Sequence, residues 1–455
     1  MKKKVMLKEK LLRISIILIA LFTATIYFVT DSRVNDLVDK SITAKADSIS
    51  KLGLLMIQSR YPGGWNVKDG KLYKGNMLVG ESSEVLDEIK EKTSSYASIY
   101  FANERVATSE LDENGKRVLG SEVSSEVVSN VLGRGKTYAE TSDIQGKKYS
   151  VSYSPLRERN GKIIGMWSVA VPKTSGVTKG ANVRTMRASI VVISLLCGLM
   201  GCLMLILFSK KFLSDMNTFK VSFLETNKGN NKTQQRILSM SLVLIFTFFA
   251  IWFTIQGFTI GRVVTGIEDQ NIKNRLDVSS KLGYVLIDDF YSGSWSVQDN
   301  KLYKGESHIN VDAVILDRVS YNEGYFSTVY LGDTSISTNL VNRDGSKTIG
   351  VKAPEQIVET VLKQGKEFTT EITNAGNKSF IKYIPLKDDS GKTIGMWSVG
   401  VEKKNVVNQI KNLRKTITQI SILAIIIAFS TFLFLSVKMV SDINNFKVSF
   451  HTNFN

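Results

Sequence analysis

Hydrophobic positions along the chain follow one order of patterns, and that order occurs twice. Apolar runs almost without charge come first, at about Leu11–Val29 and Ile237–Ile255. An amphipathic stretch follows each. Val34, Leu37, Val38, Ile42, Ile49, Leu52 and Leu55 recur at mostly helical spacing, and so do Val263, Val264, Ile267, Ile272, Leu276, Leu282 and Val285. Both stretches predict long helices, stopped at Tyr61-Pro62-Gly63-Gly64 and at Tyr291-Ser292-Gly293-Ser294. The period then falls to two. Trp65 to Tyr73 reads as a hairpin around Asp69-Gly70, and Ala97–Phe101 and Arg105–Ser109 bracket a turn. Ser125–Leu132 predicts a short helix, and Tyr149–Tyr153 and Ile163–Val171 predict strands around a turn at Arg159-Asn160-Gly161. Further apolar runs, Ile190–Phe208 and Ile417–Val437, close the two copies. A long helix followed by antiparallel strands predicts an α+β fold.

The two copies keep a constant offset of 230 residues. Lys51-Leu52-Gly53 returns as Lys281-Leu282-Gly283, Lys71-Leu72-Tyr73-Lys74-Gly75 as Lys301-Leu302-Tyr303-Lys304-Gly305, and Gly165-Met166-Trp167-Ser168-Val169 as Gly395-Met396-Trp397-Ser398-Val399. Two copies are too few, and the period too long, for a solenoid, so this is a domain duplication.

The apolar runs, of roughly 19–21 residues each, match the thickness of a bilayer core. Four transmembrane helices are therefore expected, at 11–30, 188–208, 237–259 and 416–437. Charge sets their orientation. The formal charge is +17, yet residues 31–187 hold 24 Lys+Arg against 19 Asp+Glu and residues 260–415 hold 21 against 19, which leaves +10 on three short segments. Short loops rich in Lys and Arg stay inside the cell. The segments 1–10, 209–236 and 438–455 are thus expected in the cytoplasm, and the domains 31–187 and 260–415 outside it, giving a multi-pass protein of the bacterial cell (inner) membrane in contact with lipid. The basic charge is topological, and no basic patch with interleaved aromatics points to nucleic acid.

The chain's two cysteines, Cys197 and Cys202, fall in one apolar run, so the external domains rely on their own cores rather than on disulfides. Its two histidines, His308 and His451, are not repeated. No His, Cys and Asp cluster has metal-ligand spacing, and no nucleophile is paired with a base. The expectation is a protein without catalytic residues, metal or cofactor.

Several segments in order carry a resemblance. Trp65–Gly75, Glu104-Arg105-Val106-Ala107-Thr108, Asn114–Gly120, Tyr153-Ser154-Pro155-Leu156 and Asn160–Met166 resemble single-Cache sensor domains. These are the PAS-like, extracytoplasmic ligand-binding domains of bacterial methyl-accepting chemotaxis proteins. The resemblance covers each external domain nearly end to end and implies a PAS-like fold with a ligand on one face of the sheet. A chemoreceptor's long cytoplasmic signalling helices have no counterpart. Asp215–Phe223 and Asp442–Phe450 instead look like the start of such a helix, twice cut short.

The resemblance and strand alternation together nominate the site. Tyr149 and Tyr153 share a face, Arg105 and Thr108 flank the same sheet, and Ser168 lies on the last strand. In related sensors of organic anions a basic residue on the Arg105 strand holds a carboxylate, which suits the planar donors of arginine. At the offset, Thr108, Tyr153 and Ser168 return as Thr338, Tyr383 and Ser398, while Arg105 becomes Ser335 and Tyr149 becomes Ser379. The second copy then binds an uncharged ligand or serves packing. The alternative for Arg105 is a solvated strand residue or one paired with an internal acid. Trp65, Trp167, Trp295 and Trp397 read as packing rather than as a stack for a ligand. The favoured function is a membrane-anchored sensor of a small extracellular solute, with a carboxylate preferred, for chemotaxis-type signalling. Its partners are other chemoreceptors or a second copy as a dimer. The alternatives are a silent remnant of tandem chemoreceptors and an envelope interaction or scaffold protein.

Overall fold

The computed structural model describes residues 2–173, 231–309, 314–319, 325–341, 345–374 and 377–403, with single positions beyond them. The chain falls into two compact units, one of residues 1–35, 181–266 and 408–455, the other of 36–180 and 267–407. The sheets of both repeats lie in the second unit.

The first repeat runs α1 (Lys2–Arg60), β1 (Trp65–Lys68), β2 (Lys71–Lys74), β3 (Met77–Leu78), α2 (Glu84–Thr93), β4 (Tyr96–Phe101), β5 (Glu104–Thr108), α3 (Ser125–Val127), β6 (Tyr138–Ile144), β7 (Lys147–Arg157) and β8 (Ile163–Pro172). A π-type turn, Val128–Gly133, extends α3. The second repeat repeats the order: α4 (Asn231–Phe290), β9 (Trp295–Gln298), β10 (Lys301–Lys304), β11 (Ser307–His308), α5 (Val314–Val319), β12 (Tyr325–Leu331), β13 (Thr334–Thr338), α6 (Glu355–Ile357), β14 (Phe368–Asn374), β15 (Asn377–Lys387) and β16 (Thr393–Glu402). A π-type turn at Val358–Lys363 follows α6. Each repeat has a three-stranded sheet and a five-stranded one, the latter in the order β5-β4-β8-β7-β6 or β13-β12-β16-β15-β14. All their neighbours pair antiparallel. The α+β fold with antiparallel sheets is as the sequence predicts, twice over.

The repeated motifs explain themselves in this frame. The chain leaves α1 at Pro62, which disfavours helix in the residue before it, and Gly63 follows at φ +108°. Gly75 sits at φ +61° against the Pro62 carbonyl, where a Cβ would overlap the oxygen, and its N–H donates to the Gly64 carbonyl at 2.9 Å. Lys74 is buried beneath this crossing. Its Nζ donates to Gln58 Oε1 at 2.7 Å and to the Gly63 carbonyl, and it lies over the Trp65 ring. Lys304, Gly305 and Trp295 repeat the arrangement, with Lys304 paired to Asp288 at 2.8 Å. Lys-Leu-Tyr-Lys-Gly is thus a clasp on the end of the long helix.

One face of each five-stranded sheet packs on its long helix. Trp167 and Trp397 are fully buried there. A Cβ on Gly53 would lie 2.9 Å from Trp167 Cζ2 and 2.8 Å from Ile89 Cδ1, and one on Gly283 would lie 3.1 Å from Trp397 Cζ2. The repeated Lys-Leu-Gly motif therefore gives each indole room against the helix. These two tryptophans are core residues.

One part of the expected fold is corrected. Among the described residues no helix is long and apolar enough to cross a membrane, so four transmembrane helices are not supported. Beyond the apolar run, α1 carries Asp31, Asp36, Asp39, Lys40, Lys45, Asp47 and Lys51, a charge every few residues, so this part of the helix does not cross a bilayer core. The expected spans 188–208 and 416–437 and the tail 438–455 lie outside the described residues but for single positions. So do the side chains of 11–30 and 237–259, and most of the loop 209–236.

Candidate functional site

The sheet face turned away from α1 carries the candidate site. Directly opposed residues share a face of an antiparallel sheet. Ser98 opposes both Thr108 and Ser168, Ser168 opposes Tyr153, and Tyr153 opposes Tyr138. Tyr149 and Val151 precede Tyr153 on the same side, and Tyr96 and Tyr100 flank Ser98. Arg105 joins them through a β-bulge. The pairing shifts between Ile99 and Tyr100, so that Ala107 opposes Ile99 but Arg105 opposes Tyr100, leaving Val106 as the extra residue. Strict alternation would put Arg105 and Thr108, three apart, on opposite faces; the bulge brings both to one face. All five residues nominated in the first repeat lie on this face.

Its cover comes from α3 and the π-type turn, whose Val127 and Val131 are fully buried against Tyr100, Tyr149, Val151, Tyr153 and Met166. The Tyr96 and Tyr149 rings lie 5.4 Å apart and those of Tyr100 and Tyr153 6.0 Å apart. Burial, with the neighbouring Tyr96, pushes the Tyr149 hydroxyl up to about 12. Burial likewise raises Tyr153, helped by Tyr100 and Glu140. Both are therefore neutral hydroxyls at physiological pH.

Arg105 does not stand alone. Its Nη1 donates to Glu110 Oε2 at 2.7 Å and to the Val118 carbonyl at 3.4 Å, and its Nε donates to the Tyr100 hydroxyl at 3.1 Å. Burial works against the charge, but Tyr100 and Glu110 outweigh it and hold the guanidinium above its ordinary value. The internal acid that sequence reasoning allowed for is thus Glu110. Nη2 has no partner among the described residues. Glu140 is the second acid on the face. It accepts from the hydroxyls of Tyr153 at 3.3 Å, Ser124 at 3.2 Å and Ser142 at 3.4 Å, and no described cation pairs with it. Thr108 is fully buried, with its hydroxyl bonded to Ser98 at 2.8 Å and accepting the Glu110 N–H at 3.1 Å. Thr108 thus ties two strands together rather than offering a free group.

The second repeat keeps the frame and drops the charge. Thr328 and Thr338 bond at 2.8 Å, Ser398 donates to the Thr328 carbonyl at 3.3 Å, and the Tyr330 and Tyr383 rings lie 6.0 Å apart. The bulge recurs, with Ser335 opposite Tyr330. At the offset, however, Arg105, Glu110 and Glu140 become Ser335, Leu340 and Thr370, while Tyr96, Tyr138 and Tyr149 become Phe326, Phe368 and Ser379. Ser335 donates to the Thr348 carbonyl and accepts from the Val351 N–H, both within the loop. Ile357, Val361, Ile381 and Met396 make the rest an apolar cluster.

Residues 77–181 and 307–413 match the family described as single cache domain 3. The chain carries two tandem single Cache domains. Solved structures that resemble it include three receptor domains. One is an extracellular ligand-binding receptor from Desulfohalobium retbaense, at 11% identity over 83% of this chain but only 39% of that one, with a TM-score of 0.19. Another is the periplasmic sensory domain of the Campylobacter jejuni chemoreceptor Tlp1, at 9% identity over 84% and 93% of the two chains and TM-score 0.20. The third is the ligand-binding domain of the Campylobacter jejuni chemoreceptor Tlp3 in complex with L-valine, at 8% identity over 88% and 96%, with TM-score 0.18. No curated protein matches the chain. TM-scores this low establish no shared overall geometry, and the assignment rests on the family match. Tyr96, Tyr100, Glu110 and Glu140 of the first Cache domain are residues that sequence reasoning missed. Their signal was the offset itself, because Arg105 and Glu110 change together between the two domains.

Proposed function

We propose that the protein is an extracytoplasmic sensor in which the first Cache domain binds a small solute through a carboxylate, while the second binds it much more weakly or not at all. The observation that carries this reading is the state of Arg105. Glu110 occupies one amino group of the guanidinium, and Nη2 has no described partner beside a face that carries five tyrosines. A carboxylate on Nη2 forms a charge-assisted hydrogen bond worth roughly 1.5–3 kcal/mol. Tyr149 and Tyr153 supply neutral hydroxyls beside it, and Thr108 and Ser168 hold the strands in place. The same frame in the second domain, Thr338, Tyr383 and Ser398, lacks the cation. Tyr100 and Tyr153 are buried, so the solute enters by displacing the cover of Val127 and Val131. Binding then feeds chemotaxis-type signalling, with chemoreceptors as partners.

Glu140 favours a more specific version of this reading. Its carboxylate has three hydroxyl donors and no described cation, so a solute carrying an ammonium group as well as a carboxylate satisfies both ends of the face. Thermal unfolding of the purified full chain against small carboxylates, amino acids, amines and uncharged solutes tests the proposal. Amino acids or carboxylates should raise the midpoint, a ligand at a hundred times its Kd contributing about 2.7 kcal/mol. Stabilisation by uncharged solutes alone, or by amines lacking a carboxylate, would sink the role given to Arg105.

A further inference from the structure

The long helices carry a second message, independent of the ligand. A helix lying on one sheet normally shows a solvated stripe on its far side. Neither long helix does so over its middle. No residue from 44 to 57 in α1 is exposed, and none from 274 to 287 in α4. Something covers the face turned away from each sheet.

An ion pair and an electrostatic neighbourhood identify it. Arg60, at the end of α1, donates from Nε to Asp289 Oδ1 in α4 at 2.8 Å, and from Nη2 to Glu88 of its own domain at 2.5 Å. Asp289 is nearly buried. Fifteen residues earlier, burial lowers the pKa of Lys45, while the Asp277 carboxylate of α4 opposes that shift and Lys281 adds to it. At the 230-residue offset, Asp289 corresponds to Ser59, and Asp277 and Lys281 correspond to Asp47 and Lys51. Position 60 thus meets the counterpart of 59, and position 45 lies within electrostatic reach of the counterparts of 47 and 51. This ion pair and this electrostatic neighbourhood, of nearly equal register and about 22 Å apart along the helix, fit α1 and α4 running parallel and in register. Two copies related by a two-fold axis would pair their helices in the same way.

The pair is nonetheless not interchangeable. Two first domains would set Ser59 in place of Asp289, and two second domains would set Phe290 in place of Arg60. The Arg60–Asp289 bond forms only between unlike domains. We propose that the two Cache domains dimerise within one chain: the helix face of the first takes the second domain of the same chain as its partner, not a second copy. The second domain then has a role that needs no ligand, which fits the loss of charge on its sheet face.

Cross-linking the full chain decides this. In a Cys197→Ala, Cys202→Ala background, Ser59→Cys and Phe290→Cys flank the ion pair without removing it. A short bis-maleimide should join the two cysteines within one chain, giving a product of single-chain mass. An equal mixture of the two single-cysteine chains should give no linked dimer. A linked dimer from the mixture would overturn the proposal. So would failure of the double variant to link while both thiols react fully with a monofunctional maleimide.

Discussion

Replacing Arg105 with alanine is expected to destabilise the first Cache domain by about 3–5 kcal/mol, the cost of leaving one member of a buried ion pair without its partner. Arg105 and Glu110 are 15% and 10% exposed, so Glu110 cannot recover its hydration when the guanidinium goes. The second domain shows how the fold does without the pair. Ser335 and Leu340 occupy the two positions. Arg105→Ser with Glu110→Leu should therefore recover most of the loss, with a coupling of at least about 2 kcal/mol in a double-mutant cycle. Denaturant unfolding of the four chains measures this. A double variant as unstable as Arg105→Ala would show that the arginine contributes through packing rather than through its acid.

Trp167→Ala should cost a similar amount, about 3–5 kcal/mol, because a fully buried indole leaves a cavity that Gly53 cannot fill. The milder substitution distinguishes the two domains. Trp397 Nε1 donates to the Ser280 carbonyl at 3.1 Å, whereas Trp167 Nε1 is buried with no partner among the described residues. Trp397→Phe gives up a hydrogen bond and Trp167→Phe does not. The former should be the more destabilising by about 1 kcal/mol, and equal losses would mean that the Trp167 indole has a partner after all.

Much of this was legible in the sequence, for identifiable reasons. The 230-residue offset marks the duplication, helical spacing marks α1 and α4, and alternation marks β7 and β8. Tyr149 and Tyr153 share a face because they obey the period of two, whereas Arg105 and Thr108 share it only through the bulge. Other features left little trace. Strand β6 is an edge whose residues alternate between half-buried and exposed, so its polar sequence, Tyr138 to Ile144, looks like a loop. Helix α2 is short, and its buried face is only Val85, Leu86, Ile89 and Thr93. The bulge at Val106 has no signature of its own, although it places Arg105. Glu110 lies just beyond its strand, where an acid ordinarily faces solvent. The apolar runs were the opposite case: their composition suggested four crossing helices, which the described residues do not support.

The most direct test of the account is the affinity of the full chain for the best carboxylate ligand, measured by calorimetry before and after Arg105→Ser with Glu110→Leu. That exchange gives the first domain the second domain's residues and leaves no unpaired buried charge, so a loss of binding is not a loss of folding. Losing even one charge-assisted hydrogen bond should weaken binding on the order of tenfold to a hundredfold, at about 1.4 kcal/mol per decade. A Kd unchanged by the exchange would contradict the account, because the solute would then be held without the one cation that distinguishes the two domains.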